Sequence, residues 1–338
     1  MWMHLACQIS RRCSGANAGW TPSADGRFCR TGIYCRAETA RHIRYMTALP
    51  TPIDLLNRAV PRFGTVTTRD VAFGDGTRDR LDIHRPARAG GGLLPVVVFF
   101  YGGSWQTGAR GEYAFLGRAL ARLGLVVAVP DYRLYPEVRY PAFIHDAARA
   151  TAFMLRHAWQ FGGDGRAVFV AGHSAGAYLA MMLALAEGYL GAEGVTPSAL
   201  AGAIGLAGPY DFLPMTGPVY RRIFDRFADD PVCQPISHVS PAAPPSLLIT
   251  GARDRLVAPA NTAALAARLR EAGATVDTRI YERLSHVRLL LSVLPSFGLM
   301  PPVWRDIASF IGRTAAPPGG ARDTGGRAPD MAGRLHPG

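Results

Sequence analysis

Two rhythms of apolar and polar residues alternate along the chain. One is a series of short, continuous apolar runs: Pro95–Tyr101 (PVVVFFY), Leu125–Val129 (LVVAV), Ala167–Gly172 (AVFVAG), Gly202–Gly208 (GAIGLAG) and Ser246–Gly251 (SLLITG). Such runs suit strands buried on both faces of a parallel sheet, and Thr275–Tyr281 (TVDTRIY) reads as one more strand. The other rhythm is helical, near Glu112–Leu123, Phe143–Trp159, directly after Ser174, over Asn261–Ala272 and near Val303–Gly312. Val71–Gly74 and Leu81–His84 read as an antiparallel pair ahead of the series. Strand alternating with helix at this spacing predicts an α/β fold whose mostly parallel, doubly wound sheet carries helices on both faces. Chemistry in such sheets collects at the carboxyl ends of the strands.

The candidate residues all fall at those ends. Gly172-His173-Ser174-Ala175-Gly176 matches G-x-S-x-G with a strand before it and a helix after it, the context of a nucleophile elbow. The small neighbours let strand and helix close on each other while the Ser174 hydroxyl is pushed into a cleft. A serine hydroxyl needs a base, and the base needs an orienting carboxylate. Asp254 opens the loop after one buried strand, and His286 follows the next, in the order Ser, Asp, His expected of this arrangement. Asp211 and the Asp225/Asp229/Asp230 group are rivals for the carboxylate. A developing oxyanion needs preorganised backbone donors, and Gly102 and Gly103 in FFYGGSWQTG can present N–H groups, joined by that of Ala175. Tyr101, Trp105, Tyr135, Tyr178 and Phe212 are candidates to line an apolar substrate pocket.

These motifs give the chain a resemblance to the α/β-hydrolase superfamily, in the carboxylesterase branch that holds hormone-sensitive-lipase-like and kynurenine-formamidase-like enzymes. It runs from about Thr67 to Gly312. The family's H-G-G-G-W stands here as Tyr101-Gly102-Gly103-Ser104-Trp105, its D-Y-R-L-x-P as Asp131 to Pro136, and its G-G-D as Gly162-Gly163-Asp164. The resemblance implies Ser174 as nucleophile, Asp254 and His286 as its partners, and Gly102, Gly103 and Ala175 as oxyanion donors. It implies a scaffold role for Asp131, Tyr132 and Arg133 through a buried Asp–Arg pairing. Tyr at position 101 and Ser at 104 depart from the family's His and third Gly. The implied activity is hydrolysis of short- or medium-chain carboxylic esters without metal or organic cofactor. The same machinery acting on an aryl formamide, and a catalytically silent binding protein, are the alternatives.

Composition narrows the rest. The formal charge of +12 comes from 37 arginines and no lysine. Seven of those arginines, against Asp25 and Glu38, lie in residues 1–45, and no dense basic helix or aromatic-interleaved stripe appears, so nucleic acid is not the expected partner. No apolar run approaches the length of a membrane span, and a cytoplasmic protein acting on a small ester or amide is expected. Cys7, Cys13, Cys29 and Cys35 are not spaced as zinc ligands. Cys233 is expected as a small packed or exposed residue. Residues 1–45 and the Pro/Gly-rich 315–338 read as disordered ends around one domain, 46–314, in which the proline-punctuated segment 209–245 is expected to form a small lid. Any oligomeric state is compatible with the pattern.

Overall fold

A computed structural model describes residues 52–88, 90–294 and 301–315, with the backbone of residues 21–22 and 28–29. The chain divides into two compact units, residues 1–49 and 50–338. In the first, Thr21–Pro22 pairs antiparallel with Phe28–Cys29. The disordered ends expected over 1–45 and 315–338 otherwise lie outside the described residues, apart from Ala315, and so do Cys7, Cys13 and Cys35.

Within the second unit the apolar runs become strands. They are β1 (Thr65–Ala72), β2 (Arg80–Pro86), β3 (Leu94–Phe100), β4 (Val126–Pro130), β5 (Gly163–His173), β6 (Gly202–Leu206), β7 (Ser246–Gly251) and β8 (Val276–Tyr281). Every residue of β4, β6 and β7 is buried, whereas the edge strands β1 and β8 alternate or lie half exposed. The eight strands form one sheet in the order β8-β7-β6-β5-β3-β4-β2-β1. β2 runs antiparallel to both β1 and β4, and the remaining pairs are parallel. β3 and β5 are neighbours, yet the chain leaves β3 toward β4 on one side and leaves β5 toward β6 on the other. That reversal is a topological switch point, and it opens a crevice at the carboxyl ends of β3 and β5. The Gly102–Gly103 loop and Ser174 are the residues that stand there.

Helices cover both faces: α1 (Pro52–Ala59), α2 (Ala114–Ala121), α3 (Ala142–His157), α4 (Ala175–Leu185), α5 (Glu187–Gly191), α6 (Pro218–Phe224), α7 (Ala260–Glu271), α8 (His286–Leu291) and α9 (Val303–Thr314). α4 has no polar face because all of its residues are buried. The segment 209–245 is an inserted helical region, α6 followed by single 3-10 turns at Asp225–Phe227, Pro231–Cys233 and Pro235–His238. Phe224 anchors it, packing edge-on against Trp105 at 5.2 Å between ring centroids. The Tyr178 hydroxyl donates to the Cys233 carbonyl at 2.8 Å and fastens the insertion to α4. Cys233 is packed, and burial pushes its thiol up to about 12, helped by Asp230.

The scaffold pairing after β4 differs from the expected one in its partners. Asp131 and Arg133 do not pair with each other. The Arg133 guanidinium goes to the buried Asp146 of α3, with bonds of 2.9 and 2.7 Å. Asp131 instead receives the Arg110 backbone N–H at 2.7 Å, the Arg110 guanidinium, and the Tyr101 hydroxyl at 2.9 Å. Together these bonds tie the β3 and β4 loops to each other.

Candidate active site

Ser174 is the hinge residue between β5 and α4. Its backbone sits at φ 57° and ψ −123°, a conformation that costs a non-glycine residue on the order of 1–3 kcal/mol and persists only where the surroundings enforce it. The enforcement is visible. The Ser174 N–H donates to the Leu206 carbonyl of β6 at 2.9 Å, and its carbonyl accepts the Tyr178 N–H at 3.1 Å. A Cβ on Gly176 would lie 2.0 Å from the Phe100 carbonyl oxygen, and one on Gly172 would lie 2.2 Å from the Gly176 backbone. Only glycine allows strand, helix and the end of β3 to approach this closely.

His286 is the first residue of α8, and its Nδ1 lies 2.7 Å from Asp254 Oδ2. Asp254 follows β7, and its other carboxylate oxygen accepts the N–H groups of Leu256 and Val257, both at 2.9 Å. Both oxygens of the buried carboxylate are thereby held, and an Nδ1–H that donates to Asp254 leaves Nε2 as the acceptor nitrogen of the neutral ring. The rival carboxylates are elsewhere. Asp211 is exposed, Asp225 faces Arg139 at 3.6 Å, Asp229 is paired with Arg221 at 2.6 Å, and Asp230 caps the Val232 N–H at 2.9 Å.

Two cavities meet at Ser174. The larger, about 630 Å³, is bounded by Gly102, Gly103, His173, Ser174 and His286, then by Leu55, Leu56 and Ala59 of α1, Phe115 of α2 and Leu290 of α8. The smaller, about 260 Å³, runs the other way from Ser174 and Ala175, between Trp105, Phe212, Met215, Tyr220 and Phe224. Ser104 and Leu256 border both. Gly103 has φ +130°, and a Cβ there would lie 2.1 Å from the Thr107 carbonyl oxygen, so the loop requires glycine. Ser104 and Trp105 follow at φ 54° and 58°, the left-handed region that suits the family's third glycine better than serine.

Of the expected pocket aromatics, Trp105 and Phe212 line the smaller cavity. Tyr101 lies behind the wall, its ring stacked between Tyr113 and Tyr132 and its hydroxyl bonded to Asp131 and Arg78. Burial, then the Asp131 charge, push its phenol far up, and it stays neutral. Tyr178 is likewise fully buried under Trp105, and Tyr135 is half-buried, giving its backbone N–H to the Trp105 carbonyl at 2.8 Å. The larger cavity takes its aromatic wall from Phe115 and Tyr113 instead, and the Tyr113 phenol is pushed up to about 12 by burial and by Glu112.

His173 fills the variable position of the G-x-S-x-G motif, where the pattern demands no particular side chain. Its Nε2 lies 3.1 Å from the His286 carbonyl oxygen, and the two rings are 4.5 Å apart. A carbonyl only accepts, so Nε2–H is the donor. Burial, and then the neighbouring His286, hold the His173 pKa down at about 3, which keeps it neutral at physiological pH. The residue before the nucleophile therefore fastens the backbone of the residue that would serve as base.

A family model described as BD-FAE matches residues 81–269. The isoprenylcysteine alpha-carbonyl methylesterase ICME of Arabidopsis thaliana is 29% identical over 74% of this chain and 63% of its own length. A probable isoprenylcysteine alpha-carbonyl methylesterase, ICMEL1, of Oryza sativa subsp. japonica is 31% identical over 68% of this chain, which spans 59% of that relative. Among solved structures, a thermostable esterase from Pseudomonas putida ECU1011 superposes with a TM-score of 0.60 at 26% identity, over 78% of this chain and 88% of its own.

Proposed function

Because the chain belongs to the BD-FAE family, within the α/β-hydrolase-fold esterases, we propose that it is a carboxylic ester hydrolase working through an acyl-enzyme on Ser174. The observation that carries the reading is the Asp254–His286 pair, buried and 2.7 Å apart, on the wall of the cavity that Ser174 also lines. Ser174 Oγ forms a bond to the ester carbonyl carbon while its proton passes to His286 Nε2. Asp254 stabilises the imidazolium. The oxyanion that develops is met by backbone N–H groups of the Gly102–Gly103 loop and of Ala175 at the start of α4. Collapse breaks the bond to the leaving oxygen, which takes the proton from His286 and departs as an alcohol. Water then adds to the acyl-enzyme, giving a proton to His286 and releasing the carboxylic acid as Ser174 recovers its own.

The finer resemblance, to hormone-sensitive-lipase-like and kynurenine-formamidase-like esterases, bears on the choice between ester and formamide. N-formylkynurenine carries an ammonium and a carboxylate, and among the described residues neither cavity is lined by a formally charged side chain to pair with them. That weighs toward uncharged esters. The test is hydrolysis of p-nitrophenyl acetate, N-formylkynurenine and an uncharged aryl formamide by the protein and by Ser174→Ala. The expected result is turnover of the ester above both formamides, with all turnover lost in Ser174→Ala. Turnover that survives in Ser174→Ala would remove the proposal.

A further inference from the structure

We propose that the natural substrates are short-chain acyl esters of bulky, uncharged, apolar alcohols or phenols. The larger cavity takes the leaving group and the smaller takes the acyl group. The inference rests on the ester-hydrolase reading and adds the direction in which the substrate lies across Ser174.

The direction follows from where the proton must go. When the tetrahedral intermediate collapses, the carbon–oxygen bond to the alcohol breaks and that oxygen takes the proton held by His286, so the leaving group has to lie on the His286 side of Ser174. His286 lines the larger cavity, with Val287, Leu290 and Leu291 of its own helix, and it does not line the smaller. The smaller is bounded by Ala175, the residue after the nucleophile, and by the insertion. The acyl group, which stays on Ser174 after the alcohol leaves, is thereby assigned to about 260 Å³ and the alcohol to about 630 Å³. Ligand cavities commonly span about 300–1,000 Å³, so the leaving-group side alone has the size of a complete small-molecule site.

The walls agree. The floor of the acyl side is closed by side chains already packed together: Phe224 is fully buried, Met215 is 5% exposed and Trp105 is 5% exposed. Lengthening an acyl chain there means displacing the anchor of the insertion. The leaving-group side is rimmed by Leu55 and Val287, at 54% and 62% exposure, and by Leu256, which borders both cavities, at 66%. Three large apolar side chains held open to water around one cavity mouth mark a surface that gains from an apolar ligand extending past it. No carboxylate or guanidinium lines that cavity among the described residues, so an ammonium or carboxylate on the leaving group would find no counter-charge.

Octyl acetate and ethyl octanoate test the assignment, because they are isomers that place the same long chain on opposite sides of the ester. The protein is expected to hydrolyse octyl acetate with a kcat/KM about tenfold or more above that for ethyl octanoate, a ratio within reach of a few methylene contacts. Ala59→Trp, which fills the larger cavity from its exposed rim, is expected to lower that ratio. Thr216→Trp, at the rim of the smaller, is expected to raise it. Equal rates, or preference for ethyl octanoate, would overturn the assignment. Hydrolysis of neither isomer while a fluorophosphonate still labels Ser174 would also overturn it and leave the serine-hydrolase reading standing. Absence of labelling at Ser174 would overturn that reading itself.

Discussion

At the scale of single residues, the site was most legible where chemistry demands a residue type at a fixed place in the chain. Ser174, Asp254 and His286 could be read in order because each follows a strand, and the structure brings Asp254 and not Asp211 or Asp225 to His286. The roles of Tyr101 and His173 were not legible, because a side chain's direction at a strand end depends on neighbours from other strands. Tyr101 turns inward to Asp131, and His173 reaches across to His286. The carboxylate assignment has a direct consequence. Asp254→Asn keeps the shape but favours the wrong imidazole tautomer, a change that costs a Ser-His-Asp protease about ten-thousandfold in kcat. For this protein kcat/KM on an activated ester is expected to fall by at least about a hundredfold, on the order of 2.7 kcal/mol of transition-state stabilisation. Asp211→Asn, measured beside it with both unfolding midpoints, is expected to stay within a few-fold of the parent. The reverse ranking would reassign the acid.

At the scale of elements, the long periodic segments were readable and the short ones were not. β7 falls on the expected Ser246–Gly251, and α7 lies within one residue of the expected helix. α1, α5, α6 and α8 are each eight residues or fewer, a length at which periodicity separates poorly from loop, whereas the eight-residue α2 was readable because it continues directly from the 3-10 turn at Arg110–Tyr113. Yet α1 and α8 supply nearly half of the lining of the larger cavity, so a large part of its wall was hidden from sequence. The loop after β3 was legible as glycines and carries its own expectation. Gly103→Ala places a Cβ 2.1 Å from the Thr107 carbonyl oxygen at a φ of +130°, which forces the loop to move. If that loop supplies oxyanion donors, kcat should fall about a hundred- to thousandfold with KM little changed. Unaltered kcat in a folded Gly103→Ala protein would place the donors elsewhere.

For the molecule as a whole, the mostly parallel sheet was readable from the alternation of strand and helix, whereas the strand order, and with it the switch point, came only with three-dimensional pairing. Burial on that scale also sets how the fold responds to acid. His84 and His173 are both buried and held at about 3, His84 by burial and then by Arg118 and Arg69, against an ordinary value of 6.5. Between about 3 and 6.5 the unfolded chain binds these protons and the native state does not, so stability rises with pH through that window and is lost as pH falls. Each histidine contributes a slope of up to about 1.4 kcal/mol per pH unit. Asp146 adds to the loss at the acid end, because Arg133 and then Arg149 outweigh its burial and hold its carboxyl below the usual value. Urea midpoints between pH 7.5 and 4.5 are expected to fall steadily. His84→Gln, which removes one titrating ring away from the cleft, should flatten that fall. A pH dependence identical in the two proteins would exclude the buried His84 ring as a source of the acid sensitivity.

The central claim is that the strained elbow presents Ser174 as a nucleophile. It is tested most directly by treating the protein with a fluorophosphonate and locating the adduct by peptide mass spectrometry. One adduct per chain is expected, on Ser174, rising in step with loss of ester hydrolysis and absent from Ser174→Ala. An adduct on any other residue that tracks the loss of activity would contradict the account.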